Sequence, residues 1–350
     1  MQQTLLPLKE TFCELIFCQR ILICDSSQWQ INPKLASSFR GSGGSASAAV
    51  CKLQLIIAPQ SGKIARCEAI AGTIPDQRYS REIPSVIRAG DLILFDLGYY
   101  SVETFQQIQQ ANAFFLTRIY YNVTVKSISA TESSSLAALL RAAKTDLIDL
   151  DVMIGSKKSM ALRLVASKFS PEKANSLRRK LREDYRRTRA GEPPQERLQF
   201  CDWSVVICNI SPQSLPAKKV ISLYGTRWQI EIFFRDLKSS LNLDFSSTSK
   251  LHRFQCELLA KLILAVLSFS IYARFNLYHW HHHNREISFN KLLKRLRQSA
   301  AHIHYLLRKE SKQSYAKLRA LILKLMDFSL KYHQNNRKTP LQVIAECALS

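Results

Sequence analysis

The sequence predicts an α/β protein whose mixed sheet is interrupted by a β-rich insertion and followed by a helical region. Three observations carry that prediction. Up to residue 119, short apolar runs bounded by turn residues alternate with helix-like stretches. Between 120 and 200 the texture changes to further strand-like runs around one charged helix. Beyond Pro216 nearly every segment has helical periodicity. The expected organisation is a short helical segment over 1–19, a core split between 20–119 and 201–245, the insertion over 120–200, and a basic helical region over 246–350.

Arg20–Asp25 is a short apolar run that ends in a carboxylate. The Gly/Ser-rich turn from Gly41 leads into Lys52–Ala58, which alternates as a strand does. Ser61-Gly62 turns the chain into its hairpin partner, Lys63–Ile70. Asp91–Asp96 is apolar on both faces, as a central buried strand must be. A helix over Ser101–Asn112 and a strand over Ala113–Ile119 follow. In the insertion, Tyr120–Ser127, Asp146–Gly155 and Ala161–Phe169 read as strands. Pro171 opens a helix that reaches Arg189, because proline suits a first helical position. Asp202–Asn209 restores the buried-strand pattern.

The composition narrows the function. Of 350 residues, 50 are Lys or Arg and 27 are Asp or Glu, a formal charge of +23. That excess excludes an ordinary neutral metabolic enzyme and points to a polyanion, most simply nucleic acid. Apolar residues at 46% exclude disorder. The nine cysteines form no CxxC pair and sit mostly in apolar runs, so a reducing, cytoplasmic setting is expected, without disulfides or zinc. The longest apolar segment, Leu258–Phe275, has only about 12 residues between Lys261 and Arg274, too short to cross a bilayer.

The most informative stretch is LYGTRWQIEIFFRDLKSSLNL, residues 223–243. Treated as one helix at about 100° per residue, Tyr224, Arg227, Glu231 and Lys238 fall within an arc of about 60°. Ile230, Phe234, Leu237 and Leu241 form an adjacent apolar stripe. One acidic residue between cations and a phenol suits a metal-binding carboxylate beside phosphate contacts. An amphipathic helix with ion pairs on its wet face has the same spacing.

The spacing Y-x2-R-x3-E-x6-K resembles the signature of one group of DDE transposases from bacterial insertion sequences, the insertion sequence four family. Two further regions agree in order. Asp25-Ser-Ser, then the Gly41 turn and Lys52-Leu-Gln-Leu, is similar to the segment around that family's first catalytic aspartate. Asp96-Leu-Gly-Tyr-Tyr-Ser, then Phe114-Phe-Leu-Thr-Arg, is similar to the segment around the second. The resemblance implies an RNase H-like core in which Asp25, Asp96 and Glu231 hold two Mg²⁺ ions, with Mn²⁺ as the alternative. Hard cations prefer carboxylate oxygens, and two of them can activate the attacking oxygen and stabilise the leaving one. It also implies that Tyr224, Arg227 and Lys238 contact the phosphates of transposon ends, and that Trp228 stacks on an extruded base. A tryptophan packed on the insertion is the plainer reading of Trp228. The implied reaction is cleavage at the element's end and strand transfer into target DNA, by a homodimer that holds two ends together. The resemblance leaves a non-catalytic DNA-binding remnant of a truncated transposase as the alternative, because family members carry a substantial domain before the first aspartate.

Other features are weaker. Residues 168–190 hold nine Lys or Arg against three acids, a track for a DNA backbone or a solvated helix face. Adjacent histidines in His279–His283 do not share a helical face and no carboxylate sits at ligand spacing, so no metal site is expected. No Gly-Lys-Ser/Thr follows Gly41, so the glycines form no phosphate loop.

Overall fold

The computed structural model describes residues 15, 17–43, 48–127, 133–155, 159–188, 191–331 and 338–348. Residues 15 and 17–19 are described and are not helical, in contrast to the helical segment expected over 1–19; the rest of that segment and part of the Gly41–Ser45 turn lie outside the described residues. The chain divides into two compact units.

The first unit comprises 20–74 and 228–345. Its strands β1 (Arg20–Gln30), β2 (Val50–Ala58) and β3 (Lys63–Ala71) form an antiparallel meander, with Asp25 opposite Leu55 and Leu55 opposite Cys67. Ile21, Leu22, Ile23 and Cys24 are all buried, so the start of β1 is covered on both faces. The alternation expected of β2 is absent for the same reason. Gln54 is fully buried, and the Lys52 ammonium reaches the Ile74 carbonyl at 2.8 Å. At the β2–β3 turn Gly62 has φ +64°, and a Cβ there would lie 2.6 Å from the Cβ of Ala273. Only glycine satisfies both the backbone and that close approach.

The second unit holds 75–227. Two short helical pieces, α1 (Asp76–Tyr79) and a 3-10 turn at Ser80–Ser85, lead into β4 (Asp91–Phe95). The helix α2 (Val102–Gln110) crosses over to β5 (Phe114–Arg118), which pairs parallel to β4. Ser101 caps α2 by accepting from the Thr104 N–H. Then come β6 (Thr124–Ser127), β7 (Ser133–Ser135), α3 (Leu136–Ala142), β8 (Leu147–Ile154), β9 (Met160–Lys168), α4 (Pro171–Thr188), α5 (Gln195–Phe200) and β10 (Trp203–Cys208). The strand order is β4-β5-β10-β9-β8-β6-β7, and every pair after β4–β5 is antiparallel, so the sheet is mixed. Phe95, Phe105 and Phe115 stack into its core, with ring centres 4.5 to 6.3 Å apart.

The signature stretch is not one helix. The helix α6 (Ala217–Gly225) tightens into a 3-10 turn at Thr226–Trp228, and α7 (Gln229–Leu241) starts afresh. The Thr226 hydroxyl donates to the Leu223 carbonyl at 2.7 Å, which favours this tighter winding. The single polar arc drawn through Tyr224, Arg227, Glu231 and Lys238 is therefore corrected: only Glu231 and Lys238 share a helix. Asn242, in the left-handed conformation, ends α7.

The remainder is helical, as expected: α8 (Leu251–His283), α9 (Phe289–Gln298), α10 (Ala300–Arg308), α11 (Lys312–Asp327) and α12 (Pro340–Ala348). The apolar segment lies within a helix much longer than the segment itself. The helix α8 has 33 residues, and its most apolar window has a mean hydropathy of 1.8 with only 28% of that window buried. By length and composition it could cross a membrane. Lys261 lies within it, and its ammonium donates to the Asn242 and Phe245 carbonyls at 2.8 and 2.5 Å. Leu259, Ile263, Val266, Leu267 and Ile271 are exposed along it.

Candidate catalytic site

In the first unit the site is built on β1 and α7. Asp25 sits in the middle of β1, not at the end of a strand as its sequence context suggested. The backbone N–H of Ser26 donates to its Oδ1 at 2.8 Å, and the side chain is partly exposed. Directly beyond it, Ser26 and Ser27 line a groove with Glu231, Phe234, Arg235, Lys238, Ser239 and Asp244. Glu231 occupies the first turn of α7, where a carboxylate interacts favourably with the helix dipole. Buried Ile230, Phe233, Phe234, Leu237 and Leu241 hold that helix in place.

Lys238 lies two turns further along α7. Its ammonium donates to the Gln28 carbonyl at 3.3 Å and stands 5.7 Å from the centre of the Trp29 ring. Gln28 and Trp29 are residues that sequence reasoning missed. Period-two alternation puts Asp25, Ser27 and Trp29 on one face of β1, which was the available signal. Among the rival carboxylates, Asp236 is buried against Arg235 (3.7 Å), and burial raises its pKa despite that cation. Asp91 is also buried and accepts from the Arg88 N–H at 2.7 Å, a turn-closing role.

In the second unit a separate group of candidate residues sits at the end of β4, on α6 and in the turn that follows it. Asp96 follows β4 directly, as its sequence context predicted, and precedes a 3-10 turn. The buried Tyr224 hydroxyl faces the Phe95 carbonyl at 3.4 Å and Asp96 Oδ1 at 3.5 Å. Burial, and then the Asp96 charge, push the phenol well above its ordinary pKa, against the smaller pull of Arg227 and Arg118. The phenol therefore stays protonated and donates. The Arg118 guanidinium lies over the Tyr224 ring at 5.8 Å, a contact that sequence reasoning did not find. Arg227 is only 8% exposed, whereas Trp228 is 48% exposed.

The structure thus groups Glu231 and Lys238 with β1, and Tyr224 and Arg227 with Asp96. A family model described as a transposase DDE domain matches residues 16–267. The chain belongs to the DDE transposase family. Among curated proteins, it is 24% identical to the transposase for insertion sequence element IS231E of Bacillus thuringiensis subsp. finitimus, over 96% of this chain and 76% of that one. It is 28% identical to the transposase for IS1151 of Clostridium perfringens, over 73% of this chain and 57% of that one. It is 32% identical to the putative transposase InsL for IS186A of Escherichia coli K12, over 32% of this chain and 31% of that one. The chain therefore spans between about a third and three quarters of these relatives. The matched DDE domain begins just before β1 and ends within α8, so it contains both groups of site residues.

For divalent ions, the donor chemistry of this DDE transposase fits. Asp25, Asp96 and Glu231 are carboxylates, all partly exposed, and Ser26 and Ser27 add hydroxyl oxygens beside the first. Among the described residues, no group of three or more His, Cys, Asp or Glu side chains is already gathered to hold an ion.

Proposed function

We propose that the chain is an insertion-sequence transposase that cleaves DNA at the element's ends and joins them to target DNA. Asp25, Asp96 and Glu231 would hold two Mg²⁺ ions, or Mn²⁺, within an RNase H-like core interrupted by the β-rich stretch 120–200. Bound there, the ions supply Lewis-acid activation of the attacking oxygen and charge relief for the leaving one. The groove in which Glu231 and Lys238 of α7 face Ser26 and Ser27 of β1 carries this reading.

The chain's own residues divide the work. Glu231 presents a carboxylate at the start of a helix, and Lys238, seated by Gln28 and Trp29, offers a fixed cation to a DNA phosphate in that groove. The protonated Tyr224 hydroxyl orients the Asp96 carboxylate. Arg227 supports that phenol and offers its remaining donors to phosphate. Trp228 presents a half-exposed ring to an unpaired base. DNA ends and target are the partners, and a homodimer brings two ends together in the cytoplasm.

The test is cleavage of a labelled duplex carrying the element's end, with Mg²⁺ or Mn²⁺ at low salt. Glu231→Gln, Asp25→Ala and Asp96→Ala should each reduce nicking at least about a hundredfold and leave duplex binding within about twofold. Duplex binding without any cut by the unaltered chain would instead identify a catalytically silent DNA-binding remnant.

A further inference from the structure

The helices α9 to α11 form the most one-sided charge on the first unit. Residues 289–327 hold ten lysines and arginines against two carboxylates, Glu310 and Asp327. Their packing is fixed by an apolar core of Ile287, Leu292 and Met326, against which Leu296, Ile322 and Leu330 also pack. Just past the end of α11, Phe328 remains 53% exposed, which is unusual for a phenylalanine beside a well-formed core.

Two cations converge on that ring. The Arg295 guanidinium lies 5.3 Å from its centre and the Lys324 ammonium 5.9 Å from it. They are at most about 11 Å apart, close to one screening length in dilute salt. Among the described residues neither has a carboxylate partner. A third cation, Lys291, sits one turn before Arg295 and donates to the Leu330 carbonyl at 2.7 Å. Of the two carboxylates in this stretch, Asp327 lies 3.3 Å from His279 Nε2. At its other end α9 starts beside α7, where the Ser240 hydroxyl donates to Asn290 at 3.3 Å. The like charges of Arg295 and Lys324 are relieved by a polyanion, and the exposed ring between them offers an apolar face to sugar or base.

We propose that Arg295 and Lys324 around Phe328, with Lys291 behind them, form a second contact for the phosphodiester backbone of DNA. This patch shares no residue with the groove at Glu231. The proposal rests on the DNA-acting reading only for the identity of the polyanion. It binds backbone without reading sequence, because guanidinium and ammonium meet phosphate and nothing here is shaped to a base edge.

The test uses the full chain, an unrelated 25-base-pair duplex and a chelator, so that binding is measured without cleavage. Each phosphate contact adds about 0.9 to the slope of log affinity against log salt. Arg295→Gln with Lys324→Gln should therefore flatten that slope by about 1.8. Between 50 and 200 mM salt, the unaltered protein should lose about 12-fold more affinity than this variant. The charge-conserving pair, Arg295→Lys with Lys324→Arg, should keep the original slope. An unchanged slope in the first pair, or a flattened one in the second, overturns the proposal. Amine acetylation of the unaltered chain provides a check that needs no variant. Saturating duplex should slow modification of Lys324 several-fold, and equal rates with and without duplex also overturn the proposal. Because no cut is scored, failure here leaves the catalytic reading untouched, and failure of the Glu231→Gln test leaves this one untouched.

Discussion

The contact between Tyr224 and Asp96 offers a test of whether the phenol serves that carboxylate or DNA. A buried, protonated phenol facing a carboxylate at 3.5 Å fixes the direction of that carboxylate without altering its type. Tyr224→Phe keeps the ring under Arg118 and removes only the hydroxyl, which also faces the Phe95 carbonyl. It should cost about 1 kcal/mol of stability in a urea titration. It should slow nicking by roughly tenfold while duplex affinity stays constant. A variant that loses affinity instead would place the hydroxyl on DNA. Spacing and resemblance singled out the carboxylates and the Y-R-E-K residues as candidates, and Asp96 ended its strand as expected. Trp29 and Gln28 were not found as the seat of Lys238, because they lie about 210 positions away and only the packing of α7 on β1 brings them together.

At the scale of elements, period and composition predicted strands β1 to β6, β8 to β10, the helices α2 and α4, and the helical C-terminal region. They failed where an element is short or where a partner decides its character. The strand β7 and the helices α3 and α5 have three, seven and six residues, too few to show a period. The strand β2 does not alternate, because both of its faces are covered. The 3-10 turn between α6 and α7, which carries the Thr226 hydroxyl bond to the Leu223 carbonyl, is not visible on a helical wheel. Arg163 on β9 was also invisible, since a buried arginine looks like a surface one in sequence. Its guanidinium meets both Asp149 oxygens, at 2.7 and 2.8 Å, and donates to the Ile210 and Leu215 carbonyls. It ties β8 and β9 to the loop that precedes α6. Arg163→Lys cannot reproduce that fork and should destabilise the protein by about 2 kcal/mol. Arg163→Met strands Asp149 and two carbonyls and should cost about 3–5 kcal/mol. Equal urea midpoints for the two variants would show that the fork geometry is unimportant.

For the molecule as a whole, the charge of +23 was readable at once and sets its partner class, but charge does not hold the fold together. Burial does, and the cysteines report it in both units. Burial pushes the Cys51 thiol on β2 up to about 12 and the Cys208 thiol on β10 up to about 11. An unfolded thiol ionises near 8.5. Raised acids of this kind contribute their full stability below the unfolded value and lose it as pH rises through the folded one. Between pH 8 and pH 10 the unfolded chain gains ionisation free energy that the folded chain cannot match. Each thiol should then remove about 1.5–2 kcal/mol from the unfolding free energy. Other groups titrate in the same range, so the decisive quantity is a difference between proteins. Urea midpoints measured from pH 8 to pH 10 should fall less steeply for Cys208→Ala than for the unaltered chain. Parallel slopes would mean that Cys208 ionises as readily in the folded state, and that the sheet around β10 admits water.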